Sequence, residues 1–144
     1  LDHIEDPHNF GAIIRSCEAF GVDAIIIPND RSVDITGTVV KASVGTIEKV
    51  KIIKVTNLNN TIKKLKDYGY WVVGTDMEGT VYTDIDYKMK TALIIGNEGK
   101  GISRLVSENC DYLAKIPMSG TVNSLNASVA CGIFLAEINR SRGV

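Results

Sequence analysis

The chain of 144 residues is predicted to be an α/β protein with a mainly parallel sheet and helices on both faces. Short all-apolar segments without polar alternation recur along it, which is typical of strands buried on both faces of a parallel sheet. Segments with helical apolar spacing separate these strands. Three predicted strands run into polar or glycine-containing turns, and parallel sheets bind ligands beyond such carboxyl ends.

Helix caps and apolar spacing predict the elements of the first half. Asp6 can cap a helix that begins at Pro7, because proline is preset for the first turn, and Gly21 is a typical end. One face of this helix is apolar and carries Phe10, Ile13, Ile14, Cys17 and Phe20. The following segments are predicted as a strand over residues 24–27, a polar turn over 29–36, a short helix over 38–43, a strand over 51–55 and an amphipathic helix over 57–68.

The second half continues the alternation. It is predicted to contain strands over residues 71–75, 92–95 and 112–116, an acidic connection over 77–90, a short helix over 103–109 and a long apolar helix over 125–140. The long helix has one apolar stripe, formed by Leu125, Val129, Ile133 and Ala136. Ser124 precedes this helix, and its local sequence predicts that it caps the helix.

Composition narrows the classes of function. The formal net charge is −1, so no global basic field attracts nucleic acid or a membrane surface, and any RNA contact requires a local patch, a dimer groove or another domain. Three cysteines without a C-x-x-C pair argue against a disulfide scaffold or a thiolate zinc site and favour a reducing compartment. No metal-binding spacing is present, and no apolar run is long enough for a membrane span.

The length is sufficient for one domain with a substantial core and too short for two ordinary ones. The chain opens Leu1-Asp2-His3-Ile4 without Met, and this segment has the pattern of the end of a strand. We therefore expect a fragment or processed form with further sequence upstream.

The turn over residues 96–101 is rich in glycine but fits neither common nucleotide motif. A Walker loop requires lysine where Ile102 stands, and the dinucleotide fingerprint requires glycine where Arg104 stands. An NTPase or a hydride-transfer enzyme is therefore disfavoured. A serine hydrolase is also disfavoured, because Ser124 lacks a G-x-S-x-G context. Glu98 lies between glycines at a strand end, where it could accept hydrogen bonds from a ligand or fix a neighbouring arginine.

Three segments, over residues 6–15, 94–101 and 116–130, carry a family resemblance. They read DPHNFGAIIR, IIGNEGKG and IPMSGTVNSLNASVA. In this order and spacing they resemble the three motifs of the SpoU/TrmH family of RNA 2′-O-ribose methyltransferases, and the likeness extends over nearly the whole chain. The branch it most resembles methylates a guanosine ribose in 23S ribosomal RNA, and tRNA ribose methylation is the alternative within the family.

The resemblance implies a C-terminal trefoil knot, S-adenosylmethionine as the cofactor, an RNA substrate, and a homodimer in the cytoplasm. It implies neither a metal nor a membrane partner. It also implies a single catalytic domain over residues 1–144. Many members carry an additional N-terminal RNA-binding domain, which we expect to be absent from this chain.

Position within the motifs identifies the candidate site residues. The candidate catalytic residues are Asn9, Arg15, Glu98, Ser124 and Asn126. The candidate cofactor-binding residues are Thr75, Gly96, Ile116, Met118 and Leu125.

The role of Arg15 is the difficult part of this assignment. Family accounts make it the general base, but a guanidinium holds its proton across the physiological range. We expect Arg15 instead to grip an RNA phosphate or to stabilise the developing alkoxide. Asn9, Ser124 and Asn126 would orient the hydroxyl and Arg15, and Glu98 would hold the loop. Without the other motifs, Arg15 would be interpreted as a solvated residue on a helix face.

Two alternatives from other classes stay open at this point. The chain could be a non-catalytic module that binds RNA or the cofactor. A nucleotide-dependent dehydrogenase is a third interpretation; it predicts NAD binding, which the failed glycine fingerprint disfavours.

Overall fold

Parallel strands form the centre of the fold, as the all-apolar segments predicted. The computed structural model describes residues 1–30 and 34–144, so part of the predicted turn over 29–36 lies outside the described residues. Strand β1 (Ile25–Pro28) pairs with β2 (Ile52–Val55). A second sheet has β3 (Trp71–Val81) between β4 (Thr91–Ile94) and β5 (Tyr112–Lys115). Every pairing is parallel, but the described strands form two sheets rather than one.

Five α-helices in the described residues connect and cover these strands. They are α1 (Pro7–Ala19), α2 (Gly37–Ala42), α3 (Leu58–Asp67), α4 (Arg104–Asn109) and α5 (Ala127–Ser141). Two 3₁₀ turns lie at Thr46–Lys49 and Tyr82–Asp84. Helix α1 packs against α2 and α5, and α3 packs against α4. Each predicted helix is therefore confirmed, with bounds shifted by a few residues at most. None of the described helices has the length and apolar content needed to cross a bilayer.

Helix α1 forms as its sequence predicted. The Asp6 side chain accepts hydrogen bonds from the backbone N–H groups of His8 at 2.8 Å and Asn9 at 3.2 Å, which satisfies donors that the first turn leaves unpaired. The predicted apolar face is buried in the main core through Phe10, Ile13, Ile14 and Cys17. Arg15 is exposed on the other side of the helix.

Strand β3 is longer than predicted, because the first part of the acidic segment 77–90 extends it. Both Thr75 and Thr80 pair with Ala114, so the intervening residues leave the ladder and the strand then resumes. Gly79 permits this close return, since a Cβ atom there would lie 2.4 Å from the Leu113 carbonyl oxygen. The acidic composition did not exclude strand geometry, and it did not show that Ile85 and Tyr87 of the same segment are buried.

Helix α5 differs from its prediction in both its cap and its buried face. Asn126, not Ser124, caps it, with its side-chain oxygen 2.9 Å from the Ser128 amide nitrogen. The buried apolar side chains are Ala127, Cys131, Phe134, Leu135 and Ile138. Val129 of the predicted stripe is 50% exposed, and Ala136 is exposed as well. Because nearly every side of this helix is apolar, its periodicity does not identify which side meets the core.

Candidate functional site

The carboxyl ends of β4 and β5 lie at one edge of the sheet, beside the point where β3 leaves its ladder after Thr75. Gly74 pairs with Ile94 on one side and with Leu113 on the other, which aligns the three strands at this level. Thr75 lies at this point of β3, and Gly96 and Ile116 lie just beyond the ends of β4 and β5. This is the edge at which parallel α/β sheets bind ligands.

Glu98 fastens the turn after β4 to the segment that leads into α1. Its carboxylate accepts hydrogen bonds from the backbone N–H of Asp6 at 3.0 Å and of Glu5 at 3.2 and 3.3 Å. The Asn9 side-chain amide donates to the same carboxylate at 3.5 Å. Several donors at one ionised group form charge-assisted hydrogen bonds, which are stronger than neutral ones. Of the two roles considered for Glu98, the structure shows it binding backbone amides and not an arginine.

Asn9 connects Glu98 to the start of α5. The Asn126 amide donates from Nδ2 to Asn9 Oδ1 at 2.9 Å, across 117 positions of sequence. Asn9 then donates from its own Nδ2 to Glu98. The structure therefore brings together one candidate residue from each of the three motif segments: Asn9, Glu98 and Asn126. Asn9 is buried, whereas Asn126 and Glu98 are exposed, so the chain of hydrogen bonds connects two surface residues through one buried amide.

The capping role of Asn126 fixes the direction of this polar chain. Its Oδ1 accepts from the backbone N–H groups of Ser128 at 2.9 Å and Val129 at 3.3 Å, and from the Ser128 hydroxyl. With Oδ1 engaged at the helix end, Nδ2 points to Asn9, whose oxygen must accept and whose nitrogen must donate. The network therefore has one consistent orientation of both amides.

Asn97 is a second organising residue of this turn that the sequence interpretation did not single out. Its Nδ2 donates to the His3 carbonyl at 2.7 Å, and its Oδ1 accepts from the N–H groups of Gly99 at 2.9 Å and Lys100 at 3.1 Å. One side chain thus shapes the turn and ties it to the opening segment. The available signal was the tendency of asparagine to bond the backbone two residues ahead in a turn.

Asp2 was also missed, although it anchors the same region. It is 1% exposed, and its carboxylate accepts from the Ser103 N–H at 2.6 Å and contacts His3 Nδ1 at 2.6 Å. A buried carboxylate requires such partners, because an unpaired charge in the interior is strongly unfavourable. The sequence signal was an aspartate within a segment that has the pattern of the end of a strand.

Gly96 lies where the turn after β4 folds back on itself. The Asn97 and Gly101 backbones exchange hydrogen bonds of 3.0 and 2.9 Å, which closes the turn. A Cβ atom on Gly96 would lie 2.3 Å from both the Gly101 carbonyl carbon and the Ile102 nitrogen. The site therefore needs glycine at this position for close backbone approach.

Other predicted site residues lie apart from the polar chain. Arg15 and Ser124 are exposed, and within residues 1–30 and 34–144 neither forms an ion pair or hydrogen bond with another candidate residue. Met118 is 39% exposed, while Leu125 is half-buried. These side chains remain available to contact a ligand, a nucleic acid or a second subunit.

The arrangement supplies positioning and hydrogen-bond donors more readily than proton abstraction. The Asn9–Asn126 pair consists of neutral amides, and Glu98 is occupied by backbone donors. In the described part of the chain, no group of three or more His, Cys, Asp or Glu side chains is arranged to hold a metal ion. The chemistry that suits these residues is the alignment of two bound reactants.

Two substitutions at Asn126 separate its cap from its contact with Asn9. Asn126→Asp keeps the capping oxygen but loses the Nδ2 donor to the buried Asn9 oxygen, so we expect a lower melting temperature than the parent and weaker ligand binding at this edge. Asn126→Ala loses both, and we expect it to lower the free energy of unfolding by about 1 kcal/mol more than Asn126→Asp does. Urea unfolding followed by circular dichroism measures the difference, and equal stabilities would contradict the capping role.

The fold defines a class of protein: a parallel α/β domain with polar and glycine-containing loops at the edge where such sheets bind ligands. The chain belongs to the SpoU rRNA methylase family, whose pattern matches residues 1–136. The resemblance drawn from the three motif segments is thereby confirmed at the level of the family.

Similar proteins agree with this membership. A TrmH family tRNA/rRNA methyltransferase from Staphylococcus saprophyticus is 54% identical over 143 residues, covering 99% of this chain and 57% of the relative. A protein of the same description from Staphylococcus aureus is also 54% identical, with 58% of its length covered. The chain therefore spans somewhat more than half the length of these curated relatives.

Solved structures share the fold. The SpoU methyltransferase AviRb from Streptomyces viridochromogenes, in complex with AdoMet, superposes with a TM-score of 0.91 at 32% identity and covers 98% of this chain and 58% of its own. An AdoMet-bound rRNA methyltransferase from Sinorhizobium meliloti gives a TM-score of 0.91 at 34% identity, with 97% of this chain and 54% of the other covered. The expected parallel α/β architecture is confirmed by both.

Proposed function

We propose that this chain is the catalytic domain of an RNA methyltransferase that moves a methyl group from S-adenosylmethionine to the 2′-hydroxyl of a ribose. The observation that carries the proposal is the Glu98–Asn9–Asn126 chain of hydrogen bonds, because it joins three separate motif segments. Family membership supplies the chemical class.

The strand ends suit S-adenosylmethionine in shape and chemistry. The tight return at Gly96 leaves backbone in place of side chain, and Ile116 and Leu125 are half-buried apolar side chains that suit an adenine ring. Thr75 contributes a hydroxyl and Met118 a partly exposed thioether side chain. We propose that these five residues hold the cofactor. The similar structures from Streptomyces viridochromogenes and Sinorhizobium meliloti hold AdoMet.

The reaction depends more on alignment of the ribose hydroxyl with the methyl group than on acid–base catalysis. When bound, S-adenosylmethionine supplies a sulfonium-activated methyl group: the ribose oxygen bonds to the methyl carbon while the carbon–sulfur bond breaks, and its electron pair stays on sulfur. Arg15 is exposed and lacks an internal ion pair among the described residues, so its guanidinium is free to bind a phosphate or the developing alkoxide. The hydroxyl proton is then released to water.

The remaining candidate residues hold parts of the site in position and do not react themselves. Glu98 holds the backbone of Glu5 and Asp6, which lead into the helix that carries Arg15. Asn9 and Asn126 fix the start of α5 relative to that helix, and each keeps an amide hydrogen beyond those bonded internally. Ser124 is exposed two residues before the cap, so its hydroxyl is available to a bound substrate.

A homodimer and a C-terminal trefoil knot form part of the proposal. Support for a dimer comes from the outward side of α5, where Val129 is 50% exposed, and from the preceding loop, where Val122 is 69% exposed. Apolar side chains on a surface beside polar site residues are typical of an interface between subunits. Arg15 would then act near the boundary between the two copies. The setting would be the cytoplasm, where Cys17, Cys110 and Cys131 remain free thiols.

The proposed substrate is a guanosine ribose in 23S ribosomal RNA. A tRNA ribose is the second candidate, because the Staphylococcus relatives are named tRNA/rRNA methyltransferases and a similar structure, from A. aeolicus, is a TrmH/SpoU tRNA modifying enzyme. The formal net charge of −1 gives no general attraction for either RNA, so recognition requires local contacts or further parts of the protein.

Calorimetry with S-adenosylmethionine and transfer of a labelled methyl group test the proposal. We expect the cofactor to bind and label to appear in unmodified 23S rRNA, resistant to alkaline hydrolysis next to the modified ribose. Label in tRNA alone would show that the substrate is tRNA and not 23S rRNA. Binding without transfer to either RNA would favour a non-catalytic module, and the absence of cofactor binding would overturn the proposal.

A further inference from the structure

Exposed aromatic side chains concentrate at the amino ends of β3 and β5. The chain contains nine aromatic residues (three Phe, five Tyr and one Trp), and four of them lie at these strand ends: Tyr68, Tyr70, Trp71 and Tyr112. Three of the four are exposed, Tyr68 to 73%, Trp71 to 41% and Tyr112 to 38%. These three residues form what we call the aromatic surface.

The rings of Trp71 and Tyr112 form a platform on one face of the sheet. Tyr112 pairs with Val73, and Trp71 lies two residues before Val73 on the same strand, so both side chains project from one face. Their ring centroids are 5.9 Å apart, and their planes are inclined by 32°. Among the described residues, neither ring belongs to an apolar core cluster. Both rings therefore keep aromatic area available for a partner.

Two lysines flank the aromatic surface. Lys90 Nζ lies 5.7 Å from the centroid of the Tyr70 ring and donates to the Tyr68 carbonyl at 3.5 Å. Lys66 Nζ lies 3.4 Å from the Asp111 carboxylate, which neutralises part of its charge. Within residues 1–30 and 34–144, no carboxylate forms an ion pair with Lys90. An ammonium group has three hydrogens, so both lysines keep a donor for a phosphate oxygen.

We propose that the aromatic surface binds an unpaired stretch of the substrate RNA, with one base stacked on Trp71 and neighbouring phosphates bound by Lys66 and Lys90. This inference rests on the proposed function, which identifies the substrate as RNA. Proteins hold single-stranded RNA by stacking its bases on exposed aromatic rings and binding its backbone with basic side chains. Such a local site is what a chain with a formal net charge of −1 requires for RNA binding.

Strand β5 connects the aromatic surface to the candidate site. In the described chain it lies at the edge of its sheet, and its amino end carries Tyr112. Its carboxyl end leads to Ile116, which belongs to the proposed cofactor site. On the neighbouring strand, Trp71 and Thr75 are four residues apart, which corresponds to about 13 Å. An RNA strand that follows the β5 edge can therefore contact both places.

The lysines favour RNA over a protein as the partner of the aromatic surface. Protein interfaces are enriched in aromatic residues but depleted in lysine. Here Lys66 and Lys90 lie directly beside the rings, and Lys90 makes no ion pair in the described part of the chain. Aromatic rings with adjacent cations match the alternating bases and phosphates of a single strand.

Fluorescence of Trp71 tests the stacking directly, because it is the sole tryptophan of the chain. The probe is a single-stranded RNA of eight adenosines, titrated in the absence of S-adenosylmethionine. We expect saturable quenching by the single strand and weaker quenching by the same RNA paired with eight uridines, whose bases are already stacked in a duplex. No quenching by the single strand, or equal quenching by the duplex, would overturn the proposal.

Substitution of Trp71 measures the effect on affinity. We expect Trp71→Ala to weaken binding of the dye-labelled RNA, followed by fluorescence anisotropy, by at least about fivefold. Trp71→Phe keeps a ring and is expected to restore most of the affinity, which separates stacking from a general disturbance of the fold. Leu105→Ala, at a position 57% exposed on α4, is the control for loss of an exposed apolar side chain. Unchanged affinity of Trp71→Ala would overturn the proposal and leave the surface to a protein partner.

The dependence on salt tests the phosphate contacts. For Lys90→Ala we expect the slope of log affinity against log salt concentration to decrease by about 0.7, the value for one phosphate of a single strand. Lys49→Ala, at an exposed position outside the aromatic surface, should leave the slope unchanged. An unchanged slope for Lys90→Ala would contradict the contact assigned to it.

Cofactor binding and methyl transfer distinguish this inference from the proposed function. Calorimetry should give Trp71→Ala the same affinity for S-adenosylmethionine as the parent, because Trp71 lies at the opposite end of the strand from the cofactor site. Quenching by RNA without any methyl transfer would support the aromatic surface and count against the proposed function. Methyl transfer with unaltered RNA affinity in Trp71→Ala would support the function and reject the surface.

Discussion

Replacing Arg15 with alanine is expected to lower the rate of methyl transfer by at least about 100-fold while the protein stays folded and binds S-adenosylmethionine with unchanged affinity. The size of this decrease in rate follows from the loss of one positively charged group that stabilises charge in the transition state. Stability should change by less than about 0.5 kcal/mol, because the side chain is exposed and, among the described residues, makes no internal ion pair. Single-turnover kinetics together with calorimetry measure both quantities.

The Arg15→Lys variant distinguishes a role that needs only positive charge from one that needs the planar guanidinium group. Lysine retains the charge but not the planar fork that binds phosphate through two parallel hydrogen bonds, so we expect activity well below that of the parent. Near-normal activity of this variant would rule out any role that needs the fork. Lys63→Ala, at an exposed position of α3, is the matched control for a general loss of positive charge. If it impaired transfer as strongly as Arg15→Ala, a specific role for Arg15 would be excluded.

Gly96→Ala is expected to lower the free energy of unfolding by about 2 kcal/mol and to weaken binding of S-adenosylmethionine by tenfold or more. The new methyl group would lie 2.3 Å from two backbone atoms, the Gly101 carbonyl carbon and the Ile102 nitrogen. Backbone held by the hydrogen bonds between Asn97 and Gly101 cannot move aside without opening the turn. Urea unfolding and calorimetry with the cofactor test the two effects separately.

Gly99→Ala is the matched control in the same turn. Its Cβ atom would have only the Asn97 Oδ1 atom nearby, at 3.7 Å, which is ordinary van der Waals contact. We expect the variant to differ from the parent by no more than about 0.5 kcal/mol. Equal destabilisation by both substitutions would mean that glycine flexibility, and not close backbone approach, governs the turn.

The elements nearest to strong local signals were predictable from the sequence. Asp6 and Pro7 predicted the start of α1, and the spacing of Phe10, Ile13 and Ile14 predicted its buried face, because capping and helical periodicity depend on residues a few positions apart. The all-apolar runs likewise predicted parallel strands. The motif segments then predicted the family, which the comparison confirmed.

Other features depended on contacts that local pattern does not encode. Ser124 and Asn126 are both capable of capping a helix, and only the fold shows that Asn126 does so while it also bonds Asn9. The predicted stripe on α5 was wrong for a related reason: a helix that is apolar on nearly all sides can bury any of them. Which side is buried depends on where α1 and the strands lie.

The sequence by itself therefore determined the type and order of the secondary structure, the strand ends that carry polar residues, and the family. The tertiary structure alone decided that Glu98 binds the backbone of Glu5 and Asp6, that Asn9 joins it to Asn126, and that the described strands form two sheets. The physical reason is the range of the interactions. Caps and periodicity act within one or two turns, whereas hydrogen bonds across 90 or more residues exist only once the sheets have brought distant segments together.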